Sequence, residues 1–596
     1  MNKNTKIQIN IHMFIFLNIA LIAIFTDIIC FFTNIEYSIS LFTSIIITLF
    51  LNLTSKSKIF NIKLDFEKID IIPIIIILLL SIFKLCQIDK SIDSITYHFT
   101  SQINPFLDNI NKDFLPSSVF FFPLGDRINY IFVHFLGNRF GSILTCYAMI
   151  ILYYQAKNII QTIIPNLSKL KRTFFLLILI TSVSVIIYPG TYFIDNYSSI
   201  IIFELIYIFV QNINLIKYKK YLYFSAFLSG CLIGIKVSNI FLALPIIILL
   251  LIKNIKKDSF TIIKNITLLD CLFLIAIALF PFFVYLLRGY LQTKNPFFPL
   301  INNIFHSPFL KDTNGFDARL GPKNFLEFIC WPIIISFNMI RGNDIYGLVE
   351  NTWGIGYLLL IYSLFNYKKN TKELNSFTIL VTLLTFIWIK FLFGYVRYGL
   401  ALSFCYYIIV FYYLNKFKIS KLKSITTIRS ALIHFAIFVL IIIFFVLHFV
   451  VNFSYYYSYC KSIIKVNQPY SNQYEEIISA PYDIENGIWL CTRYNNYYTT
   501  LLRDESDYMY NLDIITPQDP MCGWESKYSD YSQNIFNKKI QNKDLYIAIP
   551  YTYHNYVLEL LEINNLKISE TIGIYSNTKY MNPFDYITIV KVEFKN

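Results

Sequence analysis

The sequence predicts an all-α polytopic membrane bundle of about 13 transmembrane helices, followed by a small C-terminal extracytoplasmic α/β domain. Three observations predict it. Hydrophobic residues make up 56% of the 596 and charged residues 15%, more apolar side chain than a soluble domain of this size can hide. The apolar residues gather in runs close to span length. The charge is also uneven. The formal net charge is +14, yet residues 453–596 hold 12 Lys/Arg against 17 Asp/Glu. In a membrane protein this asymmetry reports orientation, so the expected partner is a lipid bilayer and not nucleic acid.

The apolar runs lie near 11–33, 36–53, 70–87, 140–155, 173–188, 197–215, 221–235, 237–252, 266–288, 353–367, 374–393, 398–414 and 431–452. Lys3 and Lys6 ahead of the first run give it the look of a signal peptide, but no small-residue cleavage site follows, so it is expected as a first span. With the N-terminus in the cytoplasm, segments 1–10, 54–69, 156–172, 216–220, 253–265, 368–373 and 415–430 fall inside. They hold 2, 4, 4, 3, 4, 3 and 5 Lys/Arg, 25 of the chain's 51. A further run at 326–340, if it crossed, would carry Lys368, Lys369 and Lys372 outside. It is therefore expected as an interfacial or re-entrant helix. The transmembrane domain, 1–452, then has two large outer loops, 88–139 and 289–352, and the tail 453–596 is also outside. In the tail, 487–491 and 545–549 read as buried strands, 554–566 as a helix and 586–594 as an alternating strand. Cys460, Cys491 and Cys522 fall there, an odd count that leaves any disulfide unassigned.

Five outer sites carry the candidate chemistry. The first loop contains Asp89, Asp93, Tyr97, His98, Asp108, Asp113, Asp126 and Arg127. On a helix, Asp93, Thr96 and Tyr97 share a face with His98 beside it. A carboxylate at the membrane surface suits a general base for a hydroxyl; the alternative is a helix cap. Asp195, in the turn Tyr188–Tyr197, reads either as a functional acid or as the N-cap of the next span. Lys236 stands in a short outer turn with few neighbours, as a point charge for a lipid phosphate or a side chain snorkelling to headgroups. Asn295, in Arg288–Leu300, belongs to a helix exit broken by Pro296 and Pro299. Arg397 is the one strong cation between two late spans, able to grip a phosphate bidentately or to anchor beside tyrosines. Asp27, Glu204 and Asp270 fall inside runs, scattered and without evident partners, and are expected in helix–helix hydrogen bonds or at misplaced span boundaries. His12, His134, His434 and His448 show no metal spacing and read as packing residues.

In their order and their shared side, these sites resemble the GT-C superfamily of membrane glycosyltransferases, in the bacterial branch of the aminoarabinose transferase and the protein O-mannosyltransferases. The acidic loop motif D-(A/S)-x-(T/S)-Y-H is matched by Asp93-Ser94-Ile95-Thr96-Tyr97-His98, and the acid of a later hairpin by Asp195. The G-x-x-x-G-x-K turn is matched by Gly230 to Lys236, the helix exit by Thr293 to Pro299 with Lys294 where glycine is usual, and the late R-Y pair by Arg397-Tyr398. The likeness covers roughly residues 70–415. It departs in having two extra spans before the acidic loop, where the family commonly has one in all, and no D-D or D-x-D doublet.

The resemblance implies an inverting glycosyltransferase of the bacterial inner membrane and cell envelope. The donor is a polyprenyl phosphate sugar and the acceptor a glycan, lipid or protein. Asp93 is the implied general base. Lys236 and Arg397 are the implied donor-phosphate cations. Tyr97, His98, Asp195 and Asn295 bind substrate or support the loops. No cofactor is implied; a divalent metal is used in part of the family, and the sequence shows no ligand cluster for one. The competing readings are an O-antigen-type polymerase or ligase, a lipid-linked glycan transporter, and a non-catalytic envelope protein. A transporter is expected to carry inverted repeats and broken helices, and the sequence shows neither.

Overall fold

The computed structural model describes residues 7–33, 35–85, 98, 113–114, 122–211, 219–255, 267–298, 300–308, 321–337, 341–342, 352–416, 439, 443, 488–491, 508–511, 544–550, 554–563, 566–575 and 587–595. Asp93, Tyr97, His434, Cys460, Cys522 and most of the 431–452 run lie outside these residues. The described helices are α1 (Ile11–Thr33), α2 (Tyr37–Ile59), α3 (Ile71–Leu85), α4 (Leu124–Phe140), α5 (Ile143–Ile163), α6 (Lys169–Ile180), α7 (Val183–Ile186), α8 (Asp195–Val210), α9 (Lys219–Ile235), α10 (Ile240–Ile255), α11 (Leu268–Leu279), α12 (Phe283–Thr293), α13 (Asn302–Phe305), α14 (Phe325–Phe337), α15 (Thr352–Phe365), α16 (Lys372–Phe391) and α17 (Leu400–Lys416). Each earlier apolar run has helix in its described part, whereas α4 and α13 are helices inside the expected outer loops 88–139 and 289–352.

Several of these helices are long and apolar enough to cross a membrane, as a multi-pass protein requires: Ile11–Thr33, Tyr37–Thr54, Ile143–Ile163, Lys372–Phe391 and Val396–Lys416. A helix of ~20 residues rises ~30 Å, the depth of the hydrocarbon core. A sixth candidate is the pair α11–α12, bent by 70°. The described helices thus do not reach the thirteen spans expected, because an apolar run need not be one unbroken helix. The 173–188 run breaks at Thr181, whose hydroxyl donates back to the Leu177 carbonyl. The 266–288 run breaks before Pro281, which has no N–H to continue the ladder. That break also corrects the expectation that no span is interrupted. Helix α14 runs over 13 described residues and holds Pro332, fewer than the ~20 of a full span. At the centre, every residue of α8 except Tyr207 is buried, as fits a helix apolar all round.

The bundle sorts its loops to two ends. At one end β1 (Ile7–Asn10) pairs in parallel with β2 (Phe60–Lys63), two short strands that apolar runs did not foretell. Beside them Lys157 Nζ lies 2.7 Å from Asp70 Oδ2, Arg172 donates to Glu67 at 2.6 Å, and Lys219 meets Asp270 at 2.7 Å. The strand pair and the Arg172–Glu67 contact join three of the segments rich in Lys and Arg, 1–10, 54–69 and 156–172. At the other end, Gly190 lies against Lys84, Lys236 and Arg397 meet Asp195, and the Val396 N–H donates to the Gly342 carbonyl at 2.7 Å.

The acids inside the runs take the places expected of them, Asp27 and Glu204 in helix–helix hydrogen bonds and Asp270 at a helix start, with partners the sequence did not reveal. Asp27 accepts from Arg127 Nε at 2.7 Å and from the Tyr285 hydroxyl at 2.6 Å. Glu204 accepts from Gln155 at 3.2 Å, and Asp270 closes a capping box with Thr267 at the start of α11. His12 stacks on Tyr154 and bonds Tyr147, and His134 packs on Tyr37, so both are packing residues.

The C-terminal region holds β4 (Ile488–Cys491), β5 (Tyr508–Asn511), β6 (Leu545–Pro550), α18 (His554–Ile563), β7 (Leu566–Tyr575) and β8 (Ile587–Phe594). Three strands and the helix match their expected positions, the helix ending three residues earlier than expected. The sheet order is β3-β5-β4-β6-β8-β7, parallel on the β5-β4-β6 side and antiparallel beyond it. Its first member, β3 (Asp113–Phe114), comes from the 88–139 loop and pairs with Met509 and Tyr510. The first large loop and the tail therefore share one sheet and lie on the same side of the bundle.

Candidate functional site

The site assembles around Asp195, the first residue of α8. Of its two readings, functional acid or N-cap, the N-cap is not the position it holds. The cap position is Ile194, and no side chain caps the helix there. The Asp195 carboxylate instead faces two cations, Lys236 Nζ at 3.1 Å from Oδ1 and Arg397 Nε at 3.4 Å from Oδ2. One carboxylate between two cations leaves a local surplus of positive charge.

Lys236 enters from the C-terminal end of α9, where the chain turns extended (φ −156°, ψ 118°). Its ammonium sits 3.5 Å above the Tyr398 ring, so the reading of a cation with few neighbours is corrected. The glycines before it have a steric role. A Cβ on Gly230 would overlap the Ala278 carbonyl and come within 2.9 Å of Pro281 Cδ, and one on Gly234 would meet the Pro281 carbonyl at 3.3 Å. The two glycines let α9 lie against the break between α11 and α12, and this close packing sets the place of Lys236.

Arg397 belongs to a single 3₁₀ turn, Val396–Gly399, ahead of α17. Its guanidinium lies 4.8 Å from the centre of Phe193 and 5.6 Å from that of Tyr395, and the residue is 7% exposed. It is therefore held in the protein and does not act as an interfacial anchor.

Phe193 also meets His98, ring edge to face, with centroids 6.2 Å apart. His98 is buried and its Nδ1 lies 2.6 Å from Asp126 Oδ1, in the first turn of α4. Burial pushes the Asp126 carboxyl above the usual carboxylate range, while His98, then Arg127 and Lys236, pull it back. The neighbouring Arg127 turns the other way to Asp27. The Asp126-Arg127 pair stood in the sequence as two more loop charges; its position just after Pro123-Leu124-Gly125, at a helix start, was the available signal.

Asp93 and Tyr97 lie outside the described residues, but both flanks of their segment are placed. Lys84, in the last turn of α3, touches Gly190, and His98 lies between Phe193 and Asp126. Five residues of chain reach at most ~18 Å, so Asp93 is tethered to within that distance of His98.

Asn295 has a structural task. Its Oδ1 accepts from the Phe297 N–H at 2.9 Å and its Nδ2 donates to the Leu300 carbonyl at 2.8 Å, fixing the turn that follows α12. Lys294, at the usual glycine position, adopts the left-handed conformation such a helix end requires (φ 63°). The structure thus brings Asp195, Lys236 and Arg397 together directly, joins His98 to them through Phe193, and shows Asn295 bonded within its own turn. Among the described residues no three His, Cys, Asp or Glu side chains group as metal ligands. No family model, curated protein or solved structure matches the chain.

Proposed function

We propose that this protein is a membrane glycosyltransferase of the GT-C type, taking a sugar from a polyprenyl phosphate donor to an acceptor hydroxyl or amine at the outer face of the cytoplasmic membrane. One observation carries the reading: Lys236 and Arg397, distant in sequence, meet at a single carboxylate. Two cations so placed can take a phosphate between them, with Asp195 holding them apart until it arrives. The positive-inside count sets the N-terminus in the cytoplasm, and this end of the bundle then faces outward.

In this mechanism the donor's phosphodiester lies against Lys236 and Arg397. The acceptor oxygen attacks the anomeric carbon from the opposite face, which inverts the centre. Its proton passes to the Asp93 carboxylate. The bond from C1 to the phosphate oxygen breaks, and polyprenyl phosphate leaves with the electron pair, its new charge met by the two cations. Tyr97 and His98 line the acceptor side, His98 fixed by Asp126. The acceptor-selecting part is assigned in this reading to the tail, supported by the sheet it shares with residues 113–114 of the loop that bears Asp93. No metal or cofactor enters the scheme.

A second reading, a lipid-linked glycan transporter, is favoured by the broken pair α11–α12 at the back of α9. Sugar transfer from a polyprenyl phosphate donor by the purified full-length protein in nanodiscs separates the two. Asp93→Asn is expected to cut kcat by about 10²- to 10⁴-fold with donor binding kept. Lys236→Ala and Arg397→Ala are expected to raise the donor KM by about 10- to 100-fold while leaving the acceptor KM near its original value. Full activity in Asp93→Asn removes that residue as the base. Translocation of a lipid-linked glycan by a protein that transfers no sugar establishes the transporter.

A further inference from the structure

We propose that the short helix α14, with the segments flanking it, is a positioning brace for Arg397. The sequence reading left this apolar run without a part in the site, as an interfacial or re-entrant helix. The inference rests on Arg397 being a donor-phosphate cation.

The turn that presents Arg397 is conformationally unfavourable. Phe393 (φ 55°) and Gly394 (φ 58°) are both left-handed, and Phe393 pays the steric penalty of an L side chain there. Such a pair persists only where its surroundings hold it. They do so from two sides. From its own hairpin, the Trp388 indole N–H donates to the Tyr395 carbonyl at 2.8 Å, and the Gly394 N–H donates to the Trp388 carbonyl at 3.0 Å.

The other side is the α14 region. The Trp331 indole N–H donates to the Gly394 carbonyl at 2.9 Å, in a bond fully buried from solvent. A Cβ at Gly394 would overlap that indole, so the glycine is needed for contact as well as for its φ. The Gly342 carbonyl accepts from the Val396 N–H at 2.7 Å, one residue before Arg397. Gly321, itself left-handed, packs here too: a Cβ on it would come within 3.0 Å of the Phe393 carbonyl oxygen.

These three contacts are tied to one another by Arg341. Its guanidinium lies 5.4 Å from the Trp331 ring centre, and its NH2 donates to Glu327 at 2.6 Å and to the Gly321 carbonyl at 2.9 Å. The Arg341 carbonyl accepts from the Gly321 N–H at 3.2 Å. The brace therefore grips residues 393–396 at three points. Arg397 follows at once in the chain, with its guanidinium stacked on Tyr395 and directed at Asp195. Trp331 touches no reacting group in this account. It acts through the turn.

The test measures binding of polyprenyl phosphate, and of polyprenol of the same chain length, to the full-length protein in nanodiscs. Trp331→Phe keeps an aromatic ring at the position and removes the pyrrole ring with its N–H. It is expected to weaken polyprenyl phosphate binding by about fivefold and to leave polyprenol binding unchanged. The double variant Trp331→Phe/Arg397→Ala is expected to bind no more weakly than Arg397→Ala alone, because the brace has no phosphate cation left to position. Additive losses in the double variant, or equal losses for phosphate and polyprenol, show a general packing role and overturn the proposal. Wild-type binding in Trp331→Phe overturns it too. If Trp331→Phe does not purify as a single species, Arg341→Lys is read by the same criteria. Wild-type phosphate binding in Arg397→Ala removes Arg397 from the donor site, and that result strikes the glycosyltransferase reading before it reaches the brace.

Discussion

Asp27 and Arg127 form a pair in which neither side chain exceeds 2% exposure, with Tyr285 as the third member. Breaking a buried pair from one side is far more damaging than removing both halves, because the survivor keeps its charge without its partner. Asp27→Ala is expected to destabilise the purified protein by about 3–5 kcal/mol, and the double change Asp27→Leu/Arg127→Met to recover most of that loss. Thermal unfolding in detergent compares the two; equal loss in both variants would mean that packing, and not charge, dominates there. The same residues show what a sequence hides. Lys236, Asp195 and Arg397 were each legible as outer charges, because a charge beside an apolar run stands out. Their convergence was not legible, since each had an adequate local explanation and the meeting depends on how three hairpins pack. Asp126 stood only as one more loop charge, because its bond to His98 joins residues 28 positions apart.

Helices were legible wherever an apolar run was long, and their breaks were not. A run of aliphatic residues says nothing about whether Thr181 turns its hydroxyl back onto the helix or whether Pro281 bends it. Strand β8 was legible by its alternation, whereas β7 was not, because shifts in register at Ile568/Glu570 and Thr571/Gly573 destroy the period of two. At this scale the brace around α14 has a pH signature. The Arg341 guanidinium and the Lys323 N–H hold the Glu327 carboxyl below the usual carboxylate range. A depressed carboxyl contributes stability above its unfolded value, and that contribution is lost as pH falls through the folded value. Wild-type protein is therefore expected to lose thermal stability at the acid end, below about pH 4. Glu327→Gln starts lower at neutral pH and loses less over the same range. Parallel curves would remove Glu327 from the acid response.

Taken whole, three of the segments that the Lys and Arg count assigned to one end, 1–10, 54–69 and 156–172, do meet. Contacts such as Arg172 with Glu67 and Lys236 with Asp195 agree with that sorting. Orientation is tested with single cysteines in a background freed of native ones. A membrane-impermeant thiol reagent on intact cells is expected to label Lys294→Cys, and to label Lys169→Cys only after permeabilisation. The reverse pattern inverts the protein and moves the site to the cytoplasmic leaflet. The strand that residues 113–114 lend to the tail sets a schedule for biosynthesis. Its partner, at residues 509–510, is made about 400 residues later, roughly 20–80 s at ~5–20 residues per second. On the proposed topology the acidic loop would cross the membrane first. Only when the tail had been exported could the sheet close, so the proposed enzyme would come into being on the far side of the bilayer, after the ribosome has finished.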